Sequence, residues 1–316
     1  MRLLGTLFLV VGLLVITFGA TWLNVVSPRL EKLPAGYRHE DVFEGTYRVL
    51  DPATGQLDEI PVTVRRTRES VSTEGDTAFV TERTTILPDT AGISMTAEMW
   101  EAIIEKMATL LAAIGEPAPQ FPPAEADLEV DRVTRTYEPP GIYVLGLRFG
   151  GMTFPPDIKR DVEYPLWVDE VKDVLPATYS GSAGRDGLEV YRFTIEAQDV
   201  KLSPDEESGL PRLCDVHIEY LVEPRSGLVV DMDSQSSISV QDTKGGEALV
   251  FTSALGVTDE GVNDNLSRAR LERARLVLLG SYMPWLVMGL GMLFGLYGFV
   301  LLGVHYRRAR KALRAR

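Results

Sequence analysis

Hydrophobic residues gather at the two ends of this chain and alternate with polar ones between them. From Leu3 to about Val26 no charge interrupts an apolar run, and a second run spans Leu276 to about Val304. Each exceeds the roughly 18–20 apolar residues that cover a bilayer. The pattern predicts a transmembrane anchor over 1–28, an extracytoplasmic domain over 29–258, a juxtamembrane helix over 259–275, a transmembrane helix over 276–304 and a basic tail over 305–316. The first run is longer than the roughly 7–15 residues of a signal-peptide core, and Phe18-Gly19-Ala20 is a poor cleavage site. An uncleaved anchor is therefore expected.

Between the spans the period falls to two. Glu40–Leu87 reads as a β-meander turned at Asp51-Pro52-Ala53-Thr54-Gly55 and at Glu74-Gly75-Asp76, with Pro61 at an edge or at the start of a pairing stretch. Further strands are expected at Leu128–Tyr137, Tyr143–Phe149, Val162–Trp167, Leu188–Ile195, Cys214–Val222, Leu228–Met232 and Leu249–Val257. The clearest sets Cys214, Val216, Ile218, Tyr220 and Val222 against Asp215, His217 and Glu219, the signature of a sheet with one wet face. Pro224-Arg225-Ser226-Gly227 then turns the chain, with Gly227 at positive φ. One helix breaks the β pattern. Thr96 caps it, Gly115 stops it, and Met99, Trp100, Ile103, Ile104, Met107, Leu110, Leu111 and Ile114 recur at helical spacing. The expected fold is a mostly β ectodomain, an antiparallel barrel-like or curved sheet with one amphipathic α-helix, flanked by N- and C-terminal transmembrane helices.

Charge sets the expected orientation. The tail carries Arg307, Arg308, Arg310, Lys311, Arg314 and Arg316, and the N-terminus carries Arg2, which places both termini in the cytoplasm by the positive-inside bias. These seven are the basic residues outside the loop. Of 32 bases, 25 therefore remain in it against all 45 acids, a formal loop charge of −20. A domain so acidic is a poor partner for nucleic acid. The lone Cys214 forms no intramolecular disulfide and reads as a small buried hydrophobe.

The chemistry of known catalytic motifs is absent. No G-x-S-x-G, H-E-x-x-H, P-loop or paired cysteines occur, and His39, His217 and His305 are scattered. No enzyme activity, metal or cofactor is expected. Asp205-Glu206-Glu207 reads as a solvated acidic turn and Asp169–Glu170 as exposed charge. Asn265-Leu266-Ser267 is a glycosylation sequon by pattern alone. Gly291 and Gly295 form a G-x-x-x-G face, and Gly5, Gly12 and Gly19 recur by sevens, as helix-pairing surfaces do. Homo-oligomerisation through Gly291 and Gly295 is one reading of that face.

Several stretches together resemble a known family. They are Arg29-Leu30-Glu31-Lys32-Leu33-Pro34, Phe43-Glu44-Gly45-Thr46, Phe154-Pro155-Pro156, Tyr164-Pro165-Leu166-Trp167, Leu175-Pro176-Ala177-Thr178-Tyr179, Asp186–Phe193 and Val222–Gly227. The chain resembles the porin PorA family, two-pass envelope proteins that are mostly actinobacterial. In one departure Val168 separates Trp167 from Asp169, where the family pattern joins Trp to Asp. The resemblance implies no catalytic residues, and it implies a role in lipoglycan assembly, with which some members are associated. The strands themselves are too charged for the apolar outer band of a membrane barrel. The expected function is a non-enzymatic lipid- or lipoglycan-binding protein whose container is walled by Met99, Trp100, Ile103, Ile104, Met107 and Leu111. A scaffold for envelope-building enzymes and a channel are the alternatives.

Overall fold

The computed structural model describes residues 2–51, 54–88, 124–132, 134–136, 152–204, 209–241 and 246–314. It divides into two compact units, residues 1–32 with 271–316, and residues 33–270.

The first unit is a pair of long apolar helices. α1 (Arg2–Thr21) passes through a wide π turn at Trp22–Val26 into the short α2 (Ser27–Leu30). α3 (Asp259–Arg275) starts in the other unit. A second π turn at Leu276–Tyr282 leads from it into α4 (Met283–Arg314). Both runs are long and apolar enough to cross a membrane. Their glycines are used against each other within the chain. Gly5, Gly12 and Gly19 are the buried residues of α1. A Cβ at Gly12 would lie 2.6 Å from the Gly295 nitrogen and 2.7 Å from the Gly291 oxygen, and one at Gly298 would lie 2.7 Å from the Gly5 oxygen. Only glycine permits backbones to approach so closely. Phe8 closes the seam edge-on to Tyr297 at 5.0 Å.

The second π turn, Leu276–Tyr282, ends just before Pro284. Proline has no N–H to give to the carbonyl of Gly280, one turn back. Ser27 Oγ donates to that oxygen instead, at 2.9 Å, and Trp22 Nε1 donates to the Leu279 oxygen at 3.0 Å. In an apolar medium an unmet carbonyl is costly, so these two side chains complete the backbone bonding of the turn.

The second unit is one ten-stranded antiparallel sheet curled into a half-barrel. Its strands are β1 (Arg38–Asp51), β2 (Gln56–Glu74), β3 (Thr77–Pro88), β4 (Ala124–Asp131), β5 (Tyr164–Val168), β6 (Asp173–Arg185), β7 (Leu188–Leu202), β8 (Arg212–Val222), β9 (Val229–Gln241) and β10 (Glu247–Val257). The order is β4-β3-β2-β1-β10-β9-β8-β7-β6-β5, so two meanders meet where β1 pairs with β10. Because Phe43 faces Val257, the chain enters β1 and leaves β10 at the same end of the sheet.

Alternation assigns the faces. Phe43 and Val49, Val62 and Val64, Val216 and Ile218, and Phe193 and Ile195 are buried on the inner face. Glu44, Arg48, Arg65 and Asp215 stand exposed on the other face, which is charged there, unlike the apolar band of a spanning barrel. Phe154 plugs the inner face. It is fully buried, with ring centroids 4.9 Å from Phe193, 5.5 Å from Tyr164 and 5.6 Å from Tyr220. On the opposite face Leu266 and Ala269 of α3 cover Leu188, Val190, Leu221 and Val230.

Most of the expected strands are found, but β4 spans Ala124–Asp131 where a strand was expected at Leu128–Tyr137. β6 was not expected, and β7 and β9 run further than their apolar cores. Pro61 pairs with Thr46 of β1 just before the β2–β3 ladder begins at Val62, so its missing N–H costs no β3 bond. The helix expected at 96–114 and the strand expected at Tyr143–Phe149 lie outside the described residues, as does the acidic turn at 205–207. Cys214 is buried as expected, and burial, with Glu170 and Asp215 adding to it, pushes its thiol up to about 12. Asn265 is also buried, with its amide turned toward the Val230 oxygen at 3.5 Å, so its sequon is sterically closed.

Candidate functional site

The inner face changes character along its length. On β1 the inward positions run Val49, Tyr47, Phe43, Asp41, His39. On β2 they run Val62, Val64, Arg66, Arg68, and on β3 Glu82 joins them. Register sets these charges in rows across three strands. Asp41 faces Arg66, His39 faces Arg68, and Arg68 faces Glu82. The ionic rows lie at the end where the chain enters β1 and leaves β10.

The charges are paired closely. Arg68 Nε donates to Glu82 Oε2 at 2.7 Å, with the Glu82 side chain 3% exposed, and Arg68 Nη1 lies 3.7 Å from Asp41 Oδ2. His39 bonds Asp41 at 2.9 Å through Nε2, and its Nδ1 lies 3.3 Å from Arg268 Nη1 of α3. A guanidinium can only donate, so Nδ1 accepts and Nε2 carries the hydrogen given to Asp41. Burial alone would raise the Asp41 carboxyl. The hydrogen bond from His39 and the charges of Arg68 and Arg66 outweigh it and hold the carboxyl below its ordinary range.

A second layer comes from the turn after β5. Trp167 Nε1 donates to Asp169 Oδ1 at 2.8 Å, and Arg66 Nη2 reaches Asp169 Oδ2 at 3.1 Å. Val168 separates Trp167 from Asp169, yet the two side chains meet, because residues two apart share a face. Asp169 and Glu170 are therefore not the plain exposed charges expected from sequence. The turn carries them under the sheet, where Arg66 awaits from a strand a hundred residues earlier. Burial, then the neighbouring Asp169, raises the Glu170 carboxyl above its ordinary value. For Arg66 burial works against the charge, but Asp169 and then Glu82 hold it firmly protonated.

Between these groups lies a cavity of about 70 Å³. Its polar wall is Tyr37, His39, Asp41, Arg66, Arg68 and Asp169, and its apolar wall includes Phe43, Phe154, Leu166, Tyr220, Met232 and Val257. Arg66 Nε is buried with no hydrogen-bond partner among the described residues. Leaving such a donor unmade costs about 1–3 kcal/mol. The space suits small polar groups, since a ligand pocket is typically about 300–1,000 Å³.

The six residues expected to wall a lipid container, Met99, Trp100, Ile103, Ile104, Met107 and Leu111, all lie outside the described residues. Sequence reading missed the ionic cluster. Its one signal was the switch of the inward stripe from apolar to charged, at Phe43–Asp41–His39 and at Val64–Arg66–Arg68.

Comparison with known proteins adds one strong likeness. A family profile described as Porin PorA matches residues 4–300. No curated protein matches the chain. Among solved structures, the dehydratase domain from the CurJ module of curacin polyketide synthase aligns with 72% of this chain and 77% of its own at 11% identity. Its TM-score of 0.09 does not establish a shared fold.

Proposed function

The chain belongs to the Porin PorA family, and from that premise we propose that it is a two-pass envelope membrane protein whose extracytoplasmic half-barrel binds an amphiphile, a lipid or lipoglycan, without catalysis. Both termini lie in the cytoplasm on this reading, because the basic residues flank the spans on that side. The observation that carries it is the composition of the inner face. One open sheet surface presents a continuous apolar wall ending in a buried ionic patch, the two chemistries an amphiphile displays. The described cavity is small, so most of a hydrocarbon chain would lie against the apolar face outside it.

The family name favours a second reading, a channel. Two features of the structure bear on it. The outer face of the sheet is charged, which suits water and not lipid. The two long apolar helices meet backbone to backbone at Gly12, Gly291 and Gly295, which leaves no room for a pore at that crossing. A pore would then require several copies. Partner enzymes of envelope assembly remain compatible with the amphiphile reading, since a bound lipoglycan is what they would exchange.

The test is native mass spectrometry of the full chain purified in mild detergent, together with conductance in planar bilayers. Stoichiometric lipid and no conductance is the expected result. Discrete conductance steps from a lipid-free protein would replace the binding reading with the channel.

A further inference from the structure

We infer that the basic end of α4, at Arg307, Arg308, Arg310 and Lys311, is a docking surface for the headgroups of anionic phospholipids in the leaflet it emerges from. The inference rests on the two-pass reading and is independent of what the half-barrel binds.

Depth comes first. From Met283 to Val304 α4 is apolar for about 22 residues, roughly 33 Å at about 1.5 Å per residue, close to the thickness of a hydrocarbon core. The helix continues unbroken to Arg314. Arg307 and Lys311 therefore lie about 5 and 10 Å beyond the apolar run, within and just above a headgroup layer about 5–8 Å deep. The other helix agrees on where the core ends. A Cβ at Gly5 would lie 2.8 Å from Leu302 Cγ and 3.1 Å from the Gly298 oxygen. That register brings Arg2, just before the apolar run of α1, level with Val304. Tyr306 is exposed at the same boundary, where aromatic rings collect.

The cations also have a direction. α1 packs on α4 at Gly291, Gly295, Gly298 and Leu302. Val300, Val304, Arg307, Arg308 and Lys311 follow one another at helical spacing along the opposite side, and all five are exposed. Val304 and the four cations surround an open recess of about 420 Å³. Such a volume is on the scale of a small-molecule site. A phosphate held among the cations would leave its acyl chains running down past Val304 and Val300. A free anion or a soluble acidic protein would use the cations and leave that apolar track bare, so the lipid is the occupant that fits both.

No acid offsets this charge. Residues 276–316 contain no Asp or Glu. The opposite end of the helix pair differs, since Arg275 lies 3.3 Å from Glu272 and Glu31 follows Arg29 by two positions. Basic residues just beyond a span attract anionic lipid by about fivefold each.

The experiment places the full chain in nanodiscs of phosphatidylcholine and phosphatidylglycerol in equal parts. The protein is then released into mild detergent, and native mass spectrometry counts the lipids it retains. The wild type should retain phosphatidylglycerol over phosphatidylcholine by about fivefold or more, and high salt should lower that ratio. Replacing all four cations, with Arg307→Gln, Arg308→Gln, Arg310→Gln and Lys311→Gln, should abolish the preference. Glutamine forms helix well, so α4 should persist. A second variant, Arg307→Lys with Arg308→Lys and Arg310→Lys, keeps the charge and should keep the preference, which guards against a fold failure in the first. A preference that survives the glutamine variant belongs to another surface, the half-barrel included, and overturns the inference. Equal retention by the wild type, loss of the preference in the lysine variant, or an acidic protein retained in place of lipid would overturn it as well. A chain that stays soluble without detergent and does not enter nanodiscs would sink the two-pass reading itself, whereas one that enters them without lipid preference sinks only this inference.

Discussion

Gly227 offers the sharpest test of how the β unit is held together. Its φ is +70°, as the turn sequence led us to expect. The turn is tied by Glu223, which is fully buried and whose Oε2 accepts from both the Ser226 nitrogen and the Ser226 hydroxyl at 2.7 Å. An added Cβ at Gly227 would fall 2.6 Å from the Phe154 oxygen and press on the Pro155 carbonyl. Those atoms are backbone of the segment that carries Phe154 into the core, so neither can swing aside. The left-handed conformation costs an alanine about 1–2 kcal/mol, offset in part by about 0.4–1 kcal/mol from a stiffer unfolded chain. Forcing a methyl into packed backbone adds about 1–3 kcal/mol. Gly227→Ala should therefore destabilise by about 2–4 kcal/mol. Gly187 is the control. Its φ is +78°, but nothing lies within 4 Å of its added Cβ, so Gly187→Ala should cost only about 1 kcal/mol. For a unit of this size each kcal/mol shifts Tm by about 2–4 °C. Thermal melts of the full chain in detergent should show roughly a 10 °C loss for Gly227→Ala and about 3 °C for Gly187→Ala. Gly227→Asn, which tolerates positive φ but keeps the Cβ, should recover little. Equal losses at 227 and 187 would show that the Phe154 segment does not press on this turn.

Other consequences can be measured with the same material. Gly12→Leu should separate α1 from α4, because its side chain has only the Gly291 and Gly295 backbone to enter; a disulfide engineered across the seam would then no longer form in membranes. Ser27→Ala leaves the Gly280 carbonyl without its donor and should destabilise the helix pair by about 1–2 kcal/mol in detergent unfolding; an unchanged midpoint would mean another donor replaces it. The raised Glu170 carboxyl makes the folded state bind its proton more tightly than the unfolded state does. Its contribution to stability therefore falls as pH rises from the ordinary value of 4.5 through the folded pKa. Glu170→Gln should remove that fall and stabilise the protein at neutral pH, as pH-dependent melts would show. Ile104→Ala and Met107→Ala should lower lipid copurification with little change in Tm if the helix read from sequence walls the container; a collapsed Tm with unchanged lipid would make it ordinary core.

The strands of the sheet were legible where one face is apolar and the other charged, as in Cys214–Val222, because burial on one side leaves a period of two in the residues themselves. β6 escaped because Pro176, Gly181 and Gly184 dilute its alternation. It is held as a strand by its ladders to β5 and β7, which no local pattern reports. The two long apolar helices were legible from length, and their glycine seam from its spacing. What spacing left open was the partner, which is the other span of the same chain. The ionic cluster is a long-range object. His39 and Arg268 are 229 residues apart, and Asp169 meets Arg66 only because the sheet curls. Residue chemistry alone made Asp169–Glu170 look like surface charge, since the cation that Asp169 meets, Arg66, lies a hundred residues away.

The most direct test of the central claim is hydrogen–deuterium exchange of the full chain in nanodiscs, with and without added phosphatidylglycerol. The account predicts new protection on the inner face, at residues 37–43, 64–68 and 164–170, with the outer-facing turns unchanged. Protection restricted to the two spans, with those three segments exchanging as before, would contradict an amphiphile site on the half-barrel.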